Sequence, residues 1–282
     1  MIRKPVVAGQ FYEDDFQELD KQIKECFLDK RGPGDFPISR GKKVFGIISP
    51  HAGYQFSGPC MAWAYKEIAE AQFPKNYIMI GPSHMSYLNK VALSKDKEWQ
   101  TPFGVVKVDK DHKLLESEYF KEDFFAFDQE HSVEVQLPFL QFASKDNLDK
   151  LKIIPVLISG YENYKEIAEK LSMKNSILIA SSDFTHYGSN YRYKPFIYHK
   201  KESMYELDGG AIEFIKKLDV EGFLNYVKTN KMTICGASAI AIVMEACKNL
   251  GATRGRLLQY YTSGDVLEDY ENMVGYGAIV FE

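Results

Sequence analysis

Two periodicities alternate along the chain. Short runs of consecutive apolar residues, rich in Ile and Val, fall at 44–49, 77–80, 91–94, 105–108, 153–159, 177–182, 257–262 and 278–281. Runs of that length predict strands buried on both faces. Between several of them, apolar positions recur every three or four residues, which predicts helices over 58–73, 130–142, 161–171, 203–217, 220–228 and 236–250. A further helix is expected near 14–29, ahead of the first core strand. Strands alternating with helices point to an α/β fold with a central, mostly parallel sheet flanked by helices. "WQTPFGVVKVD" has the pattern of a hairpin, so the sheet is expected to be mixed. The glycine- and proline-rich stretch "KRGPGDFPISRGKK" is a surface loop, not a linker, and no internal repeat is visible, so residues 1–282 form a single expected domain.

Composition narrows the function classes. A chain that is 45% hydrophobic can bury a large core. Its 35 basic and 39 acidic residues give a net charge of −4 and are interspersed, which argues against a nucleic-acid partner. No apolar run approaches the roughly 18 residues of a membrane helix. "MIRKPVVAGQFYEDD" turns aromatic and acidic where a secretion signal stays apolar, and the cysteines at 26, 60, 235 and 247 form no CxxC pair. A cytoplasmic protein with reduced thiols is expected.

Chemistry gathers at strand ends. In "IISPHAGYQFSG" an apolar strand stops at a proline and His51 sits on the turn, and "YIMIGPSHMSY" repeats the device with His84. Turns at the carboxyl ends of strands are where α/β folds hold ligands. Either histidine alone reads as an ordinary hydrogen-bonded turn residue, but neighbouring parallel strands would bring the matched pair to one rim. "SSDFTHYG" ends a third strand with Asp183 and His186, in which the aspartate either orients the imidazole or simply caps a helix. "EHSVEVQLPF" opens a helix with Glu130 and His131, a position that favours a neutral imidazole. Cys235, where "MTICG" meets a helix, is expected to have a lowered pKa and to serve as a ligand or redox group; the other cysteines read as core residues. His112 and His199 lie in charged contexts and are expected to be solvated. Two imidazoles and a thiolate make a half-open coordination sphere for iron, copper or zinc.

"PVVAGQFY", "SPHAGYQFSG", "GPSH", "EHSVEVQLPF", "SSDFTHYG" and "TICG" follow one another between residues 5 and 236 in the order of the Memo family (mediator of cell motility; AmmeMemoRadiSam system protein B), which this sequence resembles. Glu13 departs from the proline that many prokaryotic members carry after the first motif. The resemblance implies a fold like that of class III extradiol dioxygenases and a metal site of His51, His84 and Cys235, with His131, Asp183, His186 and Glu130 lining the same pocket. It also implies iron or copper, a redox role and a functional link to a radical-SAM protein. Three readings follow: a metal-dependent oxidoreductase acting on a small molecule, a module holding an anionic or phosphorylated ligand, and a metal carrier. In the first, Asp183 orients or charges His186 or His131.

Overall fold

The computed structural model describes residues 1–110, 112–160 and 162–282, with the side chains of residues 112 and 113 outside that description. One large mixed sheet runs through the centre. Its heart is four parallel strands in the order Lys152–Ile158, Asn76–Pro82, Ser176–Ser181 and Gly46–Ser49, all of whose residues but Lys152 are buried. The long strand Asn272–Phe281 pairs antiparallel with Gly46–Ser49 on one side and forms a hairpin with Gly255–Thr262 on the other. Glu98–Thr101 and Gly104–Val108 make the hairpin expected at "WQTPFGVVKVD", which extends the opposite edge.

Helices cover both faces, as buried strands require. Phe16–Leu28, Tyr54–Glu70 and Gln136–Ala143 pack one side of the sheet. Tyr164–Leu171, Lys200–Lys216, Val220–Thr229 and Ala237–Asn249 pack the other. The fold is the α/β class that the alternating pattern predicts. The expected helix at 161–171 begins at Tyr164, and residue 161 lies outside the described residues.

Three local differences matter for the site. The glycine–proline pair at 58–59 does not start the second helix. The helix begins four residues earlier, at Tyr54, so it springs directly from the His51 turn. The helix expected from residue 130 begins only at Gln136. The Glu130 carboxylate accepts the backbone N–H groups of His131, Ser132 and His84, so it draws local donors out of a helical path. Finally, the His51 and His84 strands are not neighbours, because Ser176–Ser181 lies between them.

Candidate metal centre

Register aligns the chemistry. Ile48, Ala180 and Ile80 stand side by side across three parallel strands. His51 and Asp183 each come three residues later and His84 four, so all three emerge on one rim. The interposed strand therefore contributes Asp183 between the two histidine turns. Two glycines permit the close packing this needs. A Cβ at Gly81 would lie 2.5 Å from Ser132 Oγ, and one at Gly236 would lie 2.5 Å from Ser182 Cβ. The first closes the Glu130 turn onto the His84 strand, and the second seats Cys235 beside Asp183.

His51, His84 and Cys235 converge: one donor atom from each lies within 4.8 Å of the others. Cys235 Sγ is 3.3 Å from His51 Nε2. Two ligands of a single tetrahedral ion at 2.0–2.3 Å stand about 3.5 Å apart, so this donor pair fits a small transition-metal ion as it stands. Two nitrogens and a sulfur suit iron, copper or zinc and do not suit calcium or magnesium.

Hydrogen bonds fix how each imidazole points. Ser181 Oγ donates to the Ser132 carbonyl at 2.5 Å, so it can only accept from His51 Nδ1, 2.9 Å away. His51 Nδ1 therefore carries the proton and Nε2 presents a lone pair. Gln136 Nε2 donates to the same hydroxyl and to the Pro50 carbonyl, which locks the relay. His84 Nδ1 lies 3.0 Å from Glu130 Oε1, and His186 Nδ1 lies 2.9 Å from the Thr233 carbonyl. In both, the acceptor holds the Nδ1 proton and leaves Nε2 free.

Titration follows the surroundings. Burial drives the His51 imidazole well below its ordinary pKa, keeping it neutral. Burial also disfavours the charged form of His84, but the Glu130 carboxylate outweighs this and raises its pKa. Glu130 is itself buried, yet the His84 ring and the backbone donors bring its pKa down to about 2. His131 is lowered by burial; its ring stacks on His84 at 4.8 Å and meets Phe11 edge-on at 4.9 Å.

Cys235 corrects the expectation of a lowered pKa. Burial and then the nearby Asp183 charge push its thiol far up. Ser182 and the Gly236 N–H favour the thiolate but do not offset the burial. The group is thus a thiol until an ion displaces its proton.

Among the described residues, Asp183 makes no hydrogen bond to an imidazole. Its Oδ1 accepts the His51 backbone N–H at 2.8 Å, while its charge acts through space to raise the His131 pKa against the effect of burial. Burial raises its pKa, while the surrounding histidines pull the other way. Together with His51, His84, His131 and His186, it lines a cavity of about 640 Å3 that opens beside the triad. His199 is exposed, as expected, and the side chain of His112 lies outside the described residues. Sequence reasoning missed Ser181, Ser132 and Gln136, and the buried pair of Arg3 with Glu134 at 2.7 Å. The only signal was a glutamate and a glutamine set among the apolar residues of "VEVQLPF".

The family model described as Memo-like protein matches residues 3–280. A MEMO1 family protein of Nitrosopumilus maritimus is 40% identical over 100% of both chains. One of Methanopyrus kandleri is 38% identical over 100% of this chain and 99% of that one. An uncharacterized protein of Escherichia coli K12 shares the fold at a TM-score of 0.52 and 10% identity, covering 85% of this chain and 100% of that one. By its sequence along nearly its whole length, the chain belongs to the Memo family.

Proposed function

We propose that this protein holds a non-haem metal ion, iron or copper, on His51, His84 and Cys235 and uses it in redox chemistry on a small molecule. The observation that carries the reading is the preset donor geometry: Nε2 of His51 stands 3.3 Å from Cys235 Sγ while its Nδ1 proton is anchored behind it. Outer partners of this kind orient metal-binding histidines. A bound ion in this set supplies electron transfer and a Lewis-acid centre. The rest falls to side chains. Asp183 holds the His51 turn by its backbone and faces the cavity with its carboxyl group. His186, with its Nδ1 proton held by Thr233, offers Nε2 as a proton acceptor at the cavity wall. His131 packs between Phe11 and His84 and faces the same cavity.

The test is metal content after purification without chelators and reconstitution with iron(II) or copper. Wild type is expected to carry about one ion per chain, with Cys235→Ser and His51→Ala losing most of it. His186→Ala and Asp183→Asn are expected to keep the metal and to lose turnover or ligand binding. Wild-type protein that takes up no stoichiometric iron, copper or zinc overturns the reading. Loss of metal from His186→Ala as complete as from His51→Ala would instead make His186 a ligand.

A further inference from the structure

We infer that a second cavity, at the end of the sheet opposite the metal centre, binds a small organic anion: an apolar, ring-sized body carrying one phosphate or carboxylate group. The inference uses none of the metal-site residues and stands apart from that reading.

This cavity holds about 350 Å3, within the range of small-molecule sites. It lies where the strands Gly46–Ser49 and Ser176–Ser181 begin, whereas His51 and Asp183 follow their far ends. At about 3.3 Å per strand residue, the two sites stand roughly 15–20 Å apart. Val44, Pro74 and Ile177 give it a buried apolar floor, and the half-buried Phe45 and Leu250 stand beside them. Phe45 is held by the sheet: its N–H donates to the Phe281 carbonyl, and its own carbonyl accepts from Leu178. The apolar part of the site is therefore carried on rigid elements.

The charge around it has one sign. Lys42, Lys43 and Lys174 line the cavity, and among the described residues no acidic side chain does. Lys42 is held by Glu67 and Glu70 at 2.9 and 2.6 Å. Lys43 and Lys174 make no ion pair among the described residues, in a chain where acidic residues outnumber basic ones by 39 to 35. The Lys43 ammonium lies 4.7 Å from the centre of the Phe45 ring, so a free cation stands directly beside the apolar surface. Lysines often do no more than face the carbonyls of a helix end, an effect confined to the last turn. Lys43 is on no helix, and Lys174 lies beyond the end of Tyr164–Leu171 and its cap Ser172. Gln72 and Asn175 add exposed side-chain amides at the same cavity. Two like charges lining one cavity repel each other, and an anion between them removes that repulsion. Unpaired cations beside an apolar floor favour an amphiphilic anion over both a bare phosphate and a neutral ring.

Phenyl phosphate, benzoate, phenol and inorganic phosphate, titrated by calorimetry into the full chain, test this. At least one of the two ring-bearing anions is expected to bind at about 1 mM or tighter, and the tighter of them names the head group. Phenol and inorganic phosphate should bind about tenfold or more weakly than that anion. Lys43→Gln combined with Lys174→Gln keeps most of both stems and removes both charges. Both residues are exposed, so the fold should survive, and binding of the preferred anion should fall at least about tenfold. Added salt should weaken binding to wild type and change the double variant little. Folded His51→Ala should bind the same anion as wild type does, which separates this cavity from the histidine pocket. Equal binding by wild type and the lysine variant overturns the inference. So does loss of binding in folded His51→Ala, inorganic phosphate bound as tightly as either ring-bearing anion, or no binding of any probe at millimolar concentration.

Discussion

The Ser181 hydroxyl decides which nitrogen of His51 faces the cavity. Its proton goes to the Ser132 carbonyl, so the imidazole must donate to it, and Nε2 is left as the ligand atom. Ser181→Ala removes that acceptor, and His51 can then carry its proton on either nitrogen. Metal affinity is expected to fall roughly 10–100-fold, the usual effect of losing an outer hydrogen-bond partner. Competition against a chelator of known affinity measures this, with circular dichroism as the control for folding. Affinity equal to wild type would mean that Gln136 and the backbone orient the ring without the hydroxyl. The sequence shows His51, His84, Asp183 and His186 readily, because proline-broken strand ends with polar side chains are visible locally. It hides Ser181, which reads as one more residue of a buried strand, and whose role depends on Ser132 forty-nine residues away. It also misleads at Cys235. A helix start is visible in the sequence, but the burial and the Asp183 charge that outweigh its effect are not.

At the scale of elements, the turn that carries Glu130 and His131 is clamped from behind by the N-terminal arm. Arg3 donates to the Phe127 carbonyl at 3.0 Å, to the Glu130 carbonyl at 2.6 Å and to Glu134 Oε2 at 2.7 Å, and lies over the Trp99 ring. Glu134 in turn accepts the backbone N–H groups of Val6 and Val7 and the Tyr12 hydroxyl. Both charges are buried, so breaking the pair leaves an uncompensated ion. Glu134→Ala should cost about 3–5 kcal/mol in denaturant unfolding. Replacing Arg3 and Glu134 together by apolar residues should recover much of that loss. A single variant as stable as wild type would show that the arm contributes little to the fold. The partners are 131 residues apart, so nothing in the local pattern marks Arg3 as more than a terminal basic residue. The same distance dependence explains the late start of the helix at Gln136. Apolar spacing continues through 130–135, but a carboxylate recruited by His84 captures the backbone donors there.

Across the whole molecule, alternation of buried strands and amphipathic helices sufficed to indicate the α/β class, because each strand run is apolar on both faces. Strand order was not legible, since every core strand looks alike from within. The side of the sheet away from the Glu130 turn anchors the Asp183–His186 segment through Asp208, on the helix Lys200–Lys216. Asp208 accepts from Thr185 Oγ1 at 2.6 Å and from the Tyr260 hydroxyl at 2.5 Å. Burial raises its pKa from 3.8 to about 6 in spite of those donors. A carboxyl group raised on folding binds its proton more tightly in the native state, so its charged form costs stability above that pKa. The cost is fully present above about pH 6, shrinks as pH falls through it, and vanishes below the unfolded value. Two pKa units correspond to about 3 kcal/mol at neutral pH. Other groups titrate in the same window, His51 among them with the opposite sign, so the contribution is read as a difference. Asp208→Asn keeps the shape but removes the charge. Relative to wild type, it should be about 2 kcal/mol more favourable at pH 7.5 than at pH 4.5, whatever its constant penalty for a misplaced amide donor. Urea unfolding of both proteins at the two values measures the change. A difference that stays level with pH, or grows toward acid, would mean that Asp208 is not the group whose burial the fold bears at neutral pH.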